Sequence, residues 1–209
     1  MINFIPIFPL NLVVFPGERI NLHIFEERYK QLINDIDQSK KKFGIPCILD
    51  NKIAQTGCLI SLEQIVKKYP DGKLDITVLG QQVFSIIEIL SEVPDKLYQG
   101  AIVAYPERID QGKFIFKNKV LKMVRLLHDA LHITKSFSKP DKELNSYDLA
   151  HAAGLSLAEE YELLELPEEN QRLEYLNRHL KKVLPIVNDM EALKEKIKLN
   201  GHFRELKGW

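Results

Sequence analysis

The sequence IPIFPLNLVVFPGERINLHIFEERY, at residues 5–29, carries signals for a strand, a turn and a helix in close succession. Two prolines interrupt the apolar residues 2–10, which favours an edge strand or an extended segment because proline cannot donate to a sheet. Pro16-Gly17 is a turn signal. From Phe25 to Ile36 the apolar residues recur at helical spacing, so one helix face is apolar. The stretch predicts a helix inserted into a β-rich region.

Short apolar and β-branched runs separated by turn signals continue to about residue 105. The residues Tyr69-Pro70-Asp71-Gly72-Lys73 predict a hairpin turn. Gly80 separates the two runs that follow this turn, so two strands are predicted there. Six or so short strands with one helix favour a small, partly closed barrel. The predicted strands cover residues 20–24, 43–49, 56–68, 74–79, 82–90 and 98–105.

The apolar period changes to 3.6 residues beyond residue 113, which indicates helices. Val120, Val124, Leu127 and Leu131 are predicted to form the buried face of the first one. Residues 113–209 are therefore predicted to form a helical subdomain, following a β-barrel subdomain at residues 1–112. The fold class is α+β.

Three polar or proline residues mark boundaries within the helical half. Ser146 is predicted to cap a short helix, and Ser156 with Glu159 fits a capping box for the next one. Pro185 lies inside the last apolar stripe and is predicted to kink or split that helix.

Composition excludes several classes of function. The chain has 209 residues, 29 basic and 29 acidic, and 45% hydrophobic residues, as is typical of a soluble globular protein. Zero net charge argues against a nucleic-acid binder, since phosphate contacts need excess cations. No signal peptide or membrane-spanning run is recognised, so we expect a cytoplasmic protein without a membrane partner. Cys47 and Cys58 are expected to be buried, reduced thiols.

Known catalytic motifs are absent from the sequence. Gly72-Lys73 and Gly112-Lys113 lack the Walker A pattern, and neither GxGxxG nor GxSxG occurs, so no cofactor is expected. His128 and His132 share the i, i+4 spacing of zinc-binding helices, although Asp129 stands where metalloproteases have glutamate. We expect polar residues at a helix end instead of a metal site; a metal-dependent hydrolase is a further alternative.

Residues 5–29 resemble the N-terminal domain of Lon proteases, which reads approximately LPLFPL-x-x-VLFPG-x-x-x-PLHIFE-x-RY. The hairpin at residues 70–80, PDGKLDITVLG, resembles a later motif of that domain, and similarity continues to about residue 180. Asn21 departs from it, standing where the family usually has proline. The resemblance implies a PUA-like pseudo-barrel followed by a helical part. In the family this domain is associated with protein-substrate recognition and self-association.

Lon proteases follow this domain with an ATPase module and a Ser–Lys peptidase module, whose signatures this sequence lacks. We therefore expect a stand-alone, non-enzymatic module that binds exposed apolar segments of polypeptides, as an adaptor or competitor in ATP-dependent proteolysis, and possible homo-oligomers. Tyr69, Phe137 and Tyr161 are the candidate contact residues. The alternative is RNA or small-ligand binding, because PUA-like barrels of other families bind RNA.

Overall fold

The computed structural model describes residues 2–134 and 137–205, which fall into two compact units. The first unit comprises Met1–Ile109 and Leu155–Pro167, and the second comprises Asp110–Gly154 and Glu168–Trp209 as far as they are described. Elements of the first unit are β1 (Ile2–Pro6), β2 (Arg19–Ile24), α1 (Glu27–Ser39), β3 (Phe43–Leu49), β4 (Lys52–Lys68), β5 (Leu74–Leu90), β6 (Gly100–Ala104) and α4 (Leu157–Glu165). Those of the second are α2 (Phe114–Ala130), α3 (Ser146–Ala150) and α5 (Glu169–Glu205).

The six strands form one antiparallel sheet in the order β1-β6-β5-β4-β3, and β2 pairs with the first half of β5. The chain after β1 returns to the far end of this order through parallel bridges from Ile7 to Gly44 and from Leu10 to Cys47. There the amide of Phe8 donates to the carbonyl of Gly44 at 2.8 Å. This pairing closes the sheet into a pseudo-barrel, and the predicted α+β fold is confirmed.

β5 is one continuous strand, so the predicted break at Gly80 is wrong. The β4–β5 register shifts between Leu59 and Ile60, which leaves an extra residue beside Gly80 and bends the strand. A Cβ on Gly80 would lie 2.2 Å from the carbonyl oxygen of Phe15. Glycine is needed there for close backbone approach, and not for ending the strand.

The predicted helix inside the β-rich region is confirmed as α1. Tyr29, Leu32, Ile33 and Ile36 are its buried residues and pack into the larger apolar core of the first unit. The helix ends at Lys40, which has a left-handed φ of 54° and donates its amide to the carbonyl of Ile36. Reversal at a left-handed residue is a common helix ending.

α4 packs in the first unit although it lies in the helical half of the sequence. Its Ser156 capping box is present as predicted, with Glu159 completing it. The Arg108 guanidinium donates to the carbonyl of Leu164 at 2.9 Å. The amide of Ile109 donates to the carbonyl of Pro167 at 3.0 Å. Long-range bonds of this kind attach α4 and the residues after it to the segment that follows β6.

The second unit buries Val120, Val124 and Leu127 on α2 as predicted. Leu131 is 43% exposed because the helix ends before it, so its predicted burial is wrong. The cap of α3 is Asn145, with Asp148 completing the capping box, and not Ser146. An asparagine one residue earlier satisfies the first amides equally well.

α5 runs without interruption through Pro185, so the predicted split does not occur. Proline removes one backbone hydrogen bond, from residue 185 to the carbonyl of Lys181. Lys181 is exposed, so water can solvate the released carbonyl. Helix on both sides supplies the cooperativity that keeps the segment helical. In the described part of the chain, no helix combines the length and apolarity needed to cross a bilayer.

Candidate functional site

A groove of about 790 Å³ opens on the first unit beside β1. Its floor is apolar, since Ile5 and Leu59 are 6% and 5% exposed. Phe4 stands 47% exposed on its wall, with its ring lying over Gly100. The groove is lined by residues 3–6 of β1, residues 35, 36 and 38–42 around the end of α1, and residues 59, 93, 96, 98 and 105.

The backbone of β1 presents a free edge to this groove. The amide of Ile7 donates to Gln99 beside β6, whereas that of Phe8 donates to Gly44 of β3. Peptide groups alternate in direction along a strand, and β1 pairs with β6 without a register shift, so the backbone of Phe4 points the same way as that of Phe8. On the side of β1 that faces away from β6, no group among the described residues forms a hydrogen bond with the backbone of Phe4.

The rim of the groove is basic. Lys40, Lys41 and Lys42 follow α1 directly, and all three are exposed. Lys96 contacts Asp35 at 2.8 Å, and Tyr98 donates to the same carboxylate at 2.7 Å. Burial alone would raise the pKa of Asp35, but the hydrogen bonds from Lys96 and Tyr98 outweigh it and lower that pKa.

Tyr69, the first predicted contact residue, lies at the β4–β5 turn in a polar and aromatic cluster. Its hydroxyl donates to Asp75 at 2.7 Å, and the imidazole Nδ1 of His23 lies 2.6 Å from the other oxygen of that carboxylate. These two hydrogen bonds lower the pKa of Asp75. Lys67 lies over the Tyr69 ring, and the exposed Phe25 stacks near His23. Tyr69 thus already has partners, and does not line the groove.

Tyr161, the second, lies on α4 and is half-buried against β4. The amide of Thr56 donates to its hydroxyl at 3.1 Å, and the Thr56 hydroxyl donates to Glu165 at 3.2 Å. Burial raises the pKa of Tyr161. Its contacts hold α4 on the sheet. Phe137, the third, is half-buried in the second unit. Within the first unit, Tyr69 and Tyr161 bind different partners, and neither lines the groove.

His128 and His132 occupy different environments. His128 is buried, and its Nε2 donates to the carbonyl of Ala152 at 2.8 Å. His132 lies past the end of α2 with its side chain 82% exposed, 3.6 Å from the carboxylate of Glu191. No group of three potential metal-binding side chains occurs in residues 2–134 and 137–205. The helical spacing therefore reflects one packing contact and one surface residue.

Sequence reasoning missed the groove, although two of its signals are visible in the sequence. A proline in β1 marks an edge strand, and three consecutive lysines follow an amphipathic helix. Only the pairing of residues 7–10 with β3 brings these lysines beside β1.

Comparison with known proteins agrees with this architecture. Residues 5–182 match the ATP-dependent protease La (LON) substrate-binding domain. The chain belongs to the Lon substrate-binding domain family. Its resemblance to Lon proteases at residues 5–29 is thereby confirmed.

Individual relatives support the same assignment. The Lon protease of Flavobacterium johnsoniae is 27% identical over 90% of this chain, which spans 25% of that protein. A crystal structure of a Lon N-terminal domain protein from Xanthomonas campestris has a TM-score of 0.63 at 25% identity, over 84% of this chain and 98% of that one. The N-terminal domain of a Mycobacterium avium complex Lon protease shares the fold, with a TM-score of 0.62 at 15% identity over 86% of this chain and 98% of that chain.

The groove lies almost entirely within the region that matches the Lon substrate-binding domain family. Only Asn3 and Phe4, among the residues that line it, precede the matched range. All the strands after β1 and helices α1 to α4 fall within that range, whereas α5 continues beyond its end at residue 182.

Proposed function

We propose that this chain is a non-catalytic module that binds extended segments of polypeptide in the groove beside β1. Membership of a family described as a substrate-binding domain supports a protein-binding role. The observation that carries the proposal is the free backbone edge at Phe4 above an apolar floor of Ile5 and Leu59. This geometry suits an extended chain, which can hydrogen-bond to a strand edge and place alternate side chains on a floor.

The exposed ring of Phe4 is the expected anchor for apolar side chains of the bound segment. Aromatic residues dominate many interfaces because they bury much area with little loss of side-chain freedom. Tyr69, Tyr161 and Phe137 remain secondary candidates, because their hydroxyls or rings already contribute to packing within each unit.

An adaptor role in ATP-dependent proteolysis is part of the same proposal. The relative from Flavobacterium johnsoniae is a Lon protease, a quarter of which corresponds to this chain. The purified chain, added to a Lon protease from the organism that encodes this chain, should speed the degradation of a polypeptide that both bind. Slower degradation would instead indicate a competitor and contradict the adaptor role.

The binding proposal is tested by anisotropy titration of a labelled unfolded polypeptide, with labelled single-stranded RNA in parallel. We expect saturable binding of the polypeptide and about tenfold weaker binding by Phe4→Ala. Phe25→Ala, which removes another exposed ring outside the groove, is the matched control. Circular dichroism checks that both variants fold. Binding of RNA alone would overturn the proposal, and loss of binding with Phe25→Ala only would move the site to the Tyr69 cluster.

Pairing with the edge of β1 is tested with two versions of one binding peptide, N-methylated at its odd or at its even amides. Only alternate amides face a neighbouring strand. One version should therefore lose binding while the other retains it. Equal affinities of both methylated peptides and the unmodified peptide would contradict edge pairing.

A further inference from the structure

The residues that line the groove carry more positive than negative charge. Among the described residues that line it are four lysines, at positions 40, 41, 42 and 96, and one carboxylate, Asp35. That carboxylate is already occupied by Lys96 and Tyr98. Because the whole chain is neutral, the positive charge is a local property of this surface.

Two of the four lysines remain available to a ligand. Lys40 pairs with Asp37 at 2.8 Å, and Lys96 pairs with Asp35. Within residues 2–134 and 137–205, the side chains of Lys41 and Lys42 form no ion pair. Two adjacent, exposed and unpaired cations on one rim attract an anionic group.

The path of the chain places these cations opposite the free edge of β1. Residues 7–10 run parallel to β3, so the residues preceding each partner also run in the same direction. Traced backwards from the Phe8–Gly44 hydrogen bond, one chain reaches Phe4 and the other reaches Lys42 to Lys40. The two chains diverge there, and the groove lies between them.

We infer that the groove selects extended polypeptide segments that carry aspartate or glutamate beside apolar residues. This inference rests on the proposed function and adds a charge preference to it. The backbone of the segment lies along β1, its apolar side chains meet Phe4 and Leu59, and its carboxylates meet Lys41 and Lys42. Electrostatic complementarity of this kind sets specificity more than affinity.

A polypeptide fits these observations better than a nucleic acid. The free backbone edge at Phe4 suits a peptide, whose own amides and carbonyls repeat at the spacing of a strand. Tracking of a phosphate backbone generally needs a longer series of cations than the unpaired Lys41 and Lys42. Nucleic-acid binding is therefore kept as an outcome of the test.

The test uses three labelled peptides with one apolar core, flanked by glutamate, by its neutral isostere glutamine, or by lysine. Wild-type protein should bind the glutamate peptide about tenfold more tightly than the glutamine peptide, and the lysine peptide most weakly. The double variant Lys41→Glu/Lys42→Glu should reverse that order. Added salt should reduce the preference.

Lys181→Glu/Lys182→Glu is the matched control, because it makes the same change of charge at two adjacent exposed lysines of α5, outside the groove. This variant should keep the wild-type order. If it reverses the order equally, the preference comes from net charge and the inference is overturned. Circular dichroism confirms the folding of both variants.

The remaining outcomes separate the inference from the proposed function. Equal affinity of wild-type protein for all three peptides overturns the charge preference and leaves polypeptide binding intact. Failure of every peptide and of the unfolded polypeptide to bind overturns both. Tighter binding of single-stranded RNA, lost with Lys41→Glu/Lys42→Glu, would assign the groove to nucleic acid and overturn both.

Discussion

Tyr98 donates a hydrogen bond of 2.7 Å to the carboxylate of Asp35, which links the segment before β6 to α1 at the rim of the groove. Lys96 binds the same carboxylate at 2.8 Å. Burial and the negative partner raise the pKa of Tyr98, so its hydroxyl stays protonated and remains a donor. The pair therefore holds one wall of the groove in place.

Replacement of Asp35 by asparagine should make stability less dependent on acid pH. The native pKa of Asp35 lies below its unfolded value of about 3.8, so the native state binds fewer protons than the unfolded state near that pH. Its contribution is present above that pH and is lost as pH falls through the native pKa. Urea unfolding at several pH values measures the free energy of unfolding of both proteins. The difference in this free energy between wild type and Asp35→Asn should shrink below about pH 4.

Asp50→Asn is the control for this experiment. Asp50 is exposed, lies in the turn between β3 and β4, and forms no ion pair within the described residues. This variant controls for the loss of one exposed carboxylate that does not pair with a cation. A difference for Asp35→Asn that stays constant with pH would contradict the role assigned to the Tyr98–Asp35 pair.

Gly80→Ala should destabilise the first unit by about 2–3 kcal/mol. The new Cβ would meet the carbonyl oxygen of Phe15 at 2.2 Å, and neither backbone can move without breaking the bonds between Gly80 and residues 17 and 18. Denaturant unfolding measures the change. Gln82→Ala, at an exposed position of the same strand, should change stability little. Equal effects of the two variants would show that close approach at Gly80 is unimportant.

Arg172→Met should destabilise the second unit by about 3–5 kcal/mol, because it leaves the buried carboxylate of Glu169 without its cation. Arg172 is fully buried, contacts Glu169 at 3.1 Å and lies over the ring of Tyr147. Thermal or denaturant unfolding measures the loss. Arg178→Met, at an exposed position of the same helix, is the matched control.

A second variant distinguishes the uncompensated charge from lost packing. Adding Glu169→Gln to Arg172→Met removes the buried charge while keeping the size of the side chain. It should recover part of the lost stability. If the double variant is as unstable as the sum of the two single variants, the charge explanation is wrong.

The two cysteine thiols should react slowly with alkylating reagents in the native protein. Burial raises the pKa of Cys47 to about 11 and that of Cys58 to about 12, so little thiolate exists at pH 8. Both thiols are free and buried, as predicted from sequence. Mass spectrometry after iodoacetamide treatment should show modification only in denaturant. Rapid modification of the native protein would contradict their burial.

Local patterns predicted the elements whose stabilising contacts lie within a few residues. The apolar spacing of α1, the turn at residues 69–73 and the Ser156 capping box all appear where the sequence placed them. Each depends on hydrogen bonds or side-chain spacing between residues that are close together in the sequence. The error at α3, where Asn145 replaces Ser146 as the cap, arose because two adjacent polar residues offer equivalent signals.

Long-range contacts decided the features that prediction missed. No local pattern marks Arg172 as buried. Its burial follows from partners on two other segments, Asp110 on one and Ser146 and Tyr147 of α3 on the other. Two of the three candidate contact residues have partners that the sequence did not predict. The Tyr161 hydroxyl accepts from the amide of Thr56, which is 105 residues away in the sequence. The Tyr69 hydroxyl binds Asp75 across the hairpin turn, and the turn motif predicts that reversal without predicting the side-chain contact.

The sequence by itself determined the α+β class, the family resemblance and the positions of most helices and strands, because residue periodicity and turn chemistry act locally. Tertiary structure alone decided the groove. The parallel bridge between Ile7 and Gly44 joins segments 37 residues apart, and it sets Phe4 opposite the lysines that follow α1. Such pairing depends on the burial of apolar residues from many segments at once, and no short stretch of sequence encodes it.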